Sequence, residues 1–215
     1  SALPVKRDAN HAAWVTIQIG CDNSCAFCIV PSVRGKEISR PYSELVSEVE
    51  QLALTGVTEI TLLGQNVNSY GRDLTLKLRG TELTAEACQL VGENWVRGPH
   101  TARPLFSDLL CSVAAVSGIR RVRYTSPHPK DFRPETIAAM ARVPEVCEHL
   151  HLPLQSGSDK ILSAMHRGYT ADRYIQKVVA ARDEIPDLAL STDIIVGFPG
   201  ETDLDFERTL EVAAE

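Results

Sequence analysis

No stretch of this 215-residue sequence approaches the ~18–20 apolar residues that a membrane span requires, so a transmembrane reading is excluded. The opening segment Ser1–Ala13 is polar and mixed in charge, without the apolar run of a secretory signal. Cysteine is scarce as well: six residues are too few for a disulfide scaffold in a chain of this length. Basic charge is in deficit, because 22 Lys and Arg against 28 Asp and Glu leave −6, unlike the basic footprint of a simple nucleic-acid binder. Three of the six cysteines, Cys21, Cys25 and Cys28, crowd together, while Cys88, Cys111 and Cys147 stand apart. That distribution predicts a cytoplasmic protein with one local cysteine site and no membrane partner.

What is present is an ordinary globular composition, 44% apolar and 23% charged, long enough for one sizeable core. Its charge is uneven. Asp183–Glu215 holds ten acidic residues and one basic residue, a net of −9, so residues 1–182 carry +3 and leave a face that a polyanion can approach.

Short β-rich runs alternate with amphipathic helical stretches. Strands are predicted at Trp14–Ile19, Glu59–Leu63, Arg120–Thr125, His149–Leu154 and Leu188–Val196. The intervening helices include one carrying Leu45, Val49 and Leu52 with Ser43 as its cap, one from about Leu105, Pro134–Arg142, and Ser158–His166. A longer helix from Ala171 is expected to bury Tyr174, Ile175, Val178 and Val179, and Thr202-Asp203-Leu204-Asp205 has capping-box spacing. The segment 73–104 interrupts the alternation; its charges cancel, and it reads as a polar surface insertion of poor order. Such alternation implies an α/β fold with a parallel sheet, its chemistry collected in loops beyond the C-terminal strand ends. The marked segments Cys21–Cys28, Gly64–Asn66, Ser126–Pro129, Leu154–Ser158 and Gly197–Thr202 all follow strands, so one convergent site is expected.

The most informative segment is Cys21-Asp22-Asn23-Ser24-Cys25-Ala26-Phe27-Cys28. Its C-x3-C-x2-C spacing gathers three thiols on one loop, one short of a closed four-ligand metal site, and an open position is where a substrate binds. Spacing alone also admits a zinc site completed by His11 or His100, a Cys25–Cys28 dithiol pair, or three structural cysteines. His149 and His151, alternating on one strand, read as core or barrel-interior residues rather than a metal pair.

The triplet, with Phe27 before its third cysteine, resembles the radical S-adenosylmethionine (SAM) superfamily. The segments Cys28–Gly35 with Ser39-Arg40-Pro41, Leu63–Tyr70, Leu152–Ser158 and Val196–Thr202 resemble the methylthiotransferase branch. Within it, Gly64-Gln65-Asn66-Val67-Asn68 and Gln155-Ser156-Gly157-Ser158-Asp159 look like the MiaB type, which acts on isopentenyladenosine beside the tRNA anticodon. A branch acting on threonylcarbamoyladenosine in tRNA shares much of the pattern, and a non-catalytic metal- or RNA-binding module is the reading from a different class.

This resemblance implies a partial, open parallel β/α barrel. It implies a [4Fe-4S] cluster on Cys21, Cys25 and Cys28 whose fourth iron chelates SAM, and reductive cleavage of SAM fed by a flavodoxin or ferredoxin. Gly64, Gln65 and Asn66 occupy the position that serves the SAM amino group, Gly197, Phe198 and Pro199 the position near adenine and ribose, and Gln155 and Ser156 the same rim. Arg34, Lys36, Arg40, Arg120, Arg121, Arg123 and Arg167 are candidate phosphate contacts for tRNA, Arg34 and Arg40 foremost because they sit beside the cysteine loop. Enzymes of this type also carry an N-terminal domain with a second cluster and a C-terminal TRAM barrel. Neither is recognisable here, and five strands replace the usual six, so residues 1–215 read as a radical SAM core short of its last strand.

Overall fold

A computed structural model describes residues 10–80 and 84–215. The first strand, β1 (Ala12–Thr16), alternates buried Ala13 and Val15 with outward-turned Trp14 and Thr16. Alternation breaks at Ile17 and Gln18, which are both buried, so the expected single strand Trp14–Ile19 ends early. The chain leaves the sheet there, and β2 (Gln18–Ile19) pairs antiparallel with β3 (Ile38–Ser39). Between them lie the cysteine loop and a short helix, α1 (Val30–Arg34).

Helix α2 (Tyr42–Leu54) follows, burying Leu45, Val49 and Leu52 at helical spacing and ending before Gly56. Pro41, not Ser43, stands at its N-cap; proline's fixed backbone suits the turn into the helix, and Ser43 falls inside the first turn. Strand β4 (Glu59–Leu63) lies parallel to β1, pairing Ala13 with Ile60 and Val15 with Leu62. Helices α3 (Arg72–Leu78), α4 (Ala85–Val91) and α5 (Glu93–Val96) come next, before α6 (Phe106–Ala114) and β5 (Arg121–Tyr124). Then follow α7 (Pro134–Arg142), β6 (His149–His151), α8 (Asp159–Ala164), α9 (Ala171–Glu184), β7 (Ala189–Ser191) and α10 (Asp203–Ala214).

Strand β4 pairs with β5 and β6 with β7, all parallel; a parallel bridge between Val122 and Val146 joins β5 to the segment entering β6. The strands therefore succeed one another around an arc in chain order, an open parallel β/α arrangement. Strands β6 and β7 are shorter than predicted, because the chain beyond each continues only through single contacts such as the Gln155–Ile194 bridge. One sheet face, with Val15, Ile60, Leu62, Val122, Tyr124 and Leu150, packs against the helices and forms the core. The helix-free face is polar and open: Trp14 is 76% exposed, and Glu59 pairs with Arg123 at 3.1 Å and with Arg121 at 3.8 Å.

Two expectations are corrected. The described residues of 73–104 are a folded part of the core: Leu74, Val91 and Trp95 are buried in it, and α4 packs on α2. Glu86, Glu93 and Arg97 lie outward, so an average over polar composition concealed a helical apolar face. On α9, Tyr174 and Val178 are buried but Val179 is half exposed and Ile175 only partly covered, since a single helix stripe cannot turn four such positions inward. His149 and His151 lie on the helix-free, interior side of the arc, in keeping with the barrel-interior expectation, and His151 reaches Ser191 Oγ at 3.0 Å and Asp193 at 3.3 Å.

Trp95 tests the corrected insertion directly. It is 1% exposed and its indole N–H donates to the Thr101 carbonyl at 2.9 Å. Trp95→Ala is expected to lower unfolding free energy by about 3–5 kcal/mol in urea melts; a loose surface insertion would leave the midpoint unmoved.

Candidate functional site

The cysteine loop is closed at its neck by backbone. Gly20 has φ +72°, and a Cβ there would stand 2.0 Å from the Lys36 carbonyl oxygen, so only glycine fits. The Cys21 N–H donates to the Gly35 carbonyl at 3.2 Å, and the Glu37 N–H to Asp22 Oδ1 at 3.1 Å. Inside the loop the Cys28 N–H donates to the Cys25 carbonyl at 3.1 Å, turning the second and third cysteines onto one tight bend. All three thiols are free, Cys21 and Cys25 partly buried and Cys28 exposed. Burial pushes the Cys21 thiol up, and the Glu37 carboxylate adds to that rise.

Segments following β5, α8 and β7 touch this loop directly, whereas the loop after β4 is tied to the segment after β5, and Leu154 is linked only by way of Tyr169 beside Arg167. From the segment after β5, Lys130 Nζ donates to Asn23 Oδ1 at 2.8 Å. After α8, the Ala26 N–H donates to the Met165 carbonyl at 3.1 Å, the His166 ring meets the Ser24 carbonyl at 3.0 Å, and Arg167 donates to Cys25 Sγ at 3.3 Å. From the segment after β7, the Phe198 ring stands edge-on to Phe27, centroids 6.4 Å apart. The loop after β4 joins through Asn66, which donates to Asp131 at 2.8 Å, and through Asn68, which exchanges hydrogen bonds with the His128 backbone.

The predicted residues divide by role. Gly64 admits no Cβ, which would lie 2.9 Å from the Gln18 side chain; Gln65 is exposed on the rim and Asn66 buried. Gly197 and Pro199 are exposed and Phe198 half-buried, so this segment remains accessible. Gln155 is a buried residue at φ +70°, bound through its backbone to the Asp193 carbonyl and the Ile195 N–H. Ser156 turns away from the rim: fully buried, it sits 3.2 Å from Thr209 Oγ1 on α10. The neighbouring Ser158 donates to Asp205 at 2.6 Å, and Lys160 does so at 2.7 Å. Lys160 first, then Ser158 and Thr202, hold the Asp205 carboxyl well below the usual carboxylate range.

The arginines separate as well. Arg34, at the end of α1, makes no hydrogen bond or ion pair with another described residue. Arg40 is already engaged, donating to the Thr16 carbonyl at 3.0 Å and pairing with Glu48 at 2.7 Å. Arg121 and Arg123 are held by Glu59, and Arg167, only 6% exposed, is too deeply buried for a phosphate contact.

Sequence reasoning missed the acid beside the loop, and marked the buried His128 only as part of the segment Ser126–Pro129. Glu37 lies with Asp22, Asn66, Ser69, Arg72 and Asp73 around a cavity of about 120 Å³. Burial first, then Asp22 and Asp73, raise the Glu37 carboxyl to about 7, although Ser69 Oγ donates to it at 2.6 Å. His128 is held down at about 3 by burial and by the Arg167 charge. Its Nδ1 accepts from the Lys130 N–H, so the neutral ring carries its proton on Nε2. Among the described residues, Nε2 of His128 and Oδ1 of Asn66 are buried without a hydrogen-bond partner, one a donor and the other an acceptor. The only sequence signal for either residue was position, since neither belongs to a spaced ligand set.

Glu37 has a measurable signature. Its folded pKa lies above its ordinary 4.5, so the folded state binds the extra proton and stability falls as pH rises from 4.5 through about 7. Glu37→Gln is expected to flatten that fall, by roughly 2 kcal/mol or less, in urea melts of the metal-free protein at pH 4.5 and 8. Parallel pH profiles for the two proteins would refute the assignment.

Comparison with known proteins agrees with this geometry. The family model described as the Radical SAM superfamily matches residues 15–213. The chain is 48% identical over 214 residues to a tRNA-2-methylthio-N(6)-dimethylallyladenosine synthase of Mycobacterium sp. (strain JLS), covering all of this chain and 39% of that protein. It is 50% identical over 212 residues to synthase 1 of the same description from Mycobacterium marinum, covering 38% of it. The chain thus spans little more than a third of the length of these curated relatives. Among solved structures, the cobalamin-dependent S-adenosylmethionine radical enzyme OxsB superposes with a TM-score of 0.62 at 10% identity, over 94% of this chain and 26% of that one. Streptococcus suis SuiB superposes with a TM-score of 0.57 at 13% identity, over 94% and 36% respectively. These two share the fold; with the family match over nearly the whole length, the chain belongs to the radical SAM superfamily.

Proposed function

We propose that this chain is the SAM-cleaving core of a tRNA methylthiotransferase that modifies isopentenyladenosine beside the anticodon. The observation that carries the reading is one cysteine loop touched by the segments after β5, α8 and β7, in a sequence about half identical to named synthases of that modification. The donor set fits an iron–sulfur cluster. Three thiols on one loop match a three-cysteine [4Fe-4S] site. Among the described residues no three such side chains gather around a single-ion point; the cysteines of a cubane bind different irons and stand farther apart.

When bound, the cluster supplies the electron that splits the sulfonium bond of SAM, and a flavodoxin or ferredoxin would deliver it. Cys21, Cys25 and Cys28 would hold it. The orphaned Asn66 Oδ1 offers an acceptor to the SAM ammonium, with Gly64 keeping the backbone close and Gln65 on the rim. Gly197, Phe198 and Pro199 would face adenine and ribose, Phe198 being fixed by Phe27. Gln155 shapes that wall through its backbone, while Ser156 supports it from behind. Arg34 is the arginine best placed to meet tRNA phosphate, being uncommitted; Arg40 would have to give up Glu48 first.

Anaerobic reconstitution tests the reading. Wild type is expected to hold four irons and four sulfides, the composition of one such cluster, and to release deoxyadenosine from SAM under a strong reductant. A Cys21→Ala/Cys25→Ala/Cys28→Ala variant should lose both properties, whereas Cys88→Ala/Cys111→Ala/Cys147→Ala should keep the iron. Equal iron in wild type and the first variant defeats the assignment. The substrate is tested in the intact gene: its deletion should remove the methylthio group from isopentenyladenosine in tRNA digests. Loss from threonylcarbamoyladenosine alone would move the enzyme to the other branch. Incubated with tRNA by itself, this chain is expected to leave the tRNA unmethylthiolated, because the sulfur-donating second cluster of that reaction has no cysteine set here.

A further inference from the structure

The loop Met165–Tyr169 grips the cysteine loop from the opposite side of the rim. Two left-handed residues, His166 at φ +58° and Gly168 at φ +70°, flank Arg167 and turn its side chain inward. There the guanidinium is 6% exposed, its Nη1 3.3 Å from Cys25 Sγ and its Nε 3.3 Å from Tyr169 Oη. Its carbon lies 5.6 Å over the Tyr169 ring, and Tyr169 Oη is itself anchored on the Leu154 carbonyl at 2.8 Å. Among the described residues Arg167 makes no salt bridge. A buried charge without a counter-ion is costly, and an arginine cannot shed its proton to escape. Among the described residues its hydrogen-bond acceptors are a phenol oxygen and a cysteine sulfur.

We propose that Arg167 is a positioning residue that donates to the Cys25 ligand sulfur and thereby sets the reduction potential of the cluster. The inference rests on the cluster reading above. Reduction transfers one electron from an external low-potential reductant to the cluster, with no proton and no bond broken at Arg167. Three thiolates make the site anionic before that electron arrives, and more so after it. A fixed cation donating a hydrogen bond to one sulfur favours the more negative state, so it raises the potential.

The test is EPR-monitored potentiometry, without SAM, on reconstituted wild type, Arg167→Gln and Arg167→Lys. Iron and sulfide content are measured first; a wild type that takes up neither sinks the cluster reading rather than this one. With clusters present, Arg167→Gln should weaken reduction at least tenfold, about 59 mV more negative for a one-electron couple. Arg167→Lys should fall between, because it keeps the charge and loses the planar fork. Equal potentials for wild type and Arg167→Gln overturn the proposal. Should Arg167→Gln fail to hold a cluster, pulsed EPR on reduced wild type with guanidinium-15N arginine decides. A nitrogen coupling that changes with the isotope is expected, and its absence overturns the proposal equally.

Discussion

The site depends on the backbone contact between Gly20 and Lys36. Any side chain at Gly20 would run into the Lys36 carbonyl, and the two-residue pairing of Gln18–Ile19 with Ile38–Ser39 holds that approach in place. Sixteen positions separate the two sides of the neck, yet a bond between the Cys21 N–H and the Gly35 carbonyl closes it. The consequence is geometric. With its neck pinned just beyond the end of β1, the loop projects over the strand ends instead of lying along the sheet. The other segments can then reach it, with the Asn23 side chain and the Ser24 carbonyl as their targets.

A division of labour between the two sheet faces supports this arrangement. Apolar residues on one face meet the helices and supply most of the burial that holds the strands parallel. The other face has no helix and carries Glu59, Arg121, Arg123, His149 and His151, so it contributes charge and not packing. At the rim, order comes instead from side-chain hydrogen bonds. Asp205 shows this most clearly: it completes the capping box of α10 with Thr202 and also fixes Ser158 and Lys160. Thr209, one turn later, takes the Gly157 N–H at 2.9 Å. Gly157 has no room for a side chain there, since a Cβ would meet the Arg208 carbonyl at 2.5 Å. The last helix is thus the rigid backing of the Gln155–Ser158 segment.

Much of this was legible in the sequence because it is written in periods and spacings. Glu59–Leu63 and Pro134–Arg142 emerge at the expected bounds, one from strict alternation, the other from proline at a helix start. The cysteine spacing located the site, and the placement of motifs after strands located its rim. Three things were not legible. The break at Ile17–Gln18 needs knowledge that Gln18 finds buried partners, its amide donating to the Asn66 carbonyl at 2.8 Å. The burial of Trp95 goes with the packing of the adjoining α4 on α2, far away in sequence, which local polarity cannot show. Arg167 looked like any surface arginine, because the tertiary fold alone brings its guanidinium to a cysteine 142 positions earlier.

That last separation bears on the order of assembly. The cysteines leave the ribosome well before the groups that brace them, the Met165 carbonyl and, 142 positions after Cys25, the Arg167 guanidinium. The Phe198 ring that packs on Phe27 arrives later still. Closing loops of this length has a slow, entropically costly character, and contacts between such distant residues form late in folding. The three thiols therefore spend synthesis and early folding unbraced, open to oxidation and to the wrong metal. Under the proposed function, iron and sulfide are best withheld until the sheet has curled round far enough to receive them.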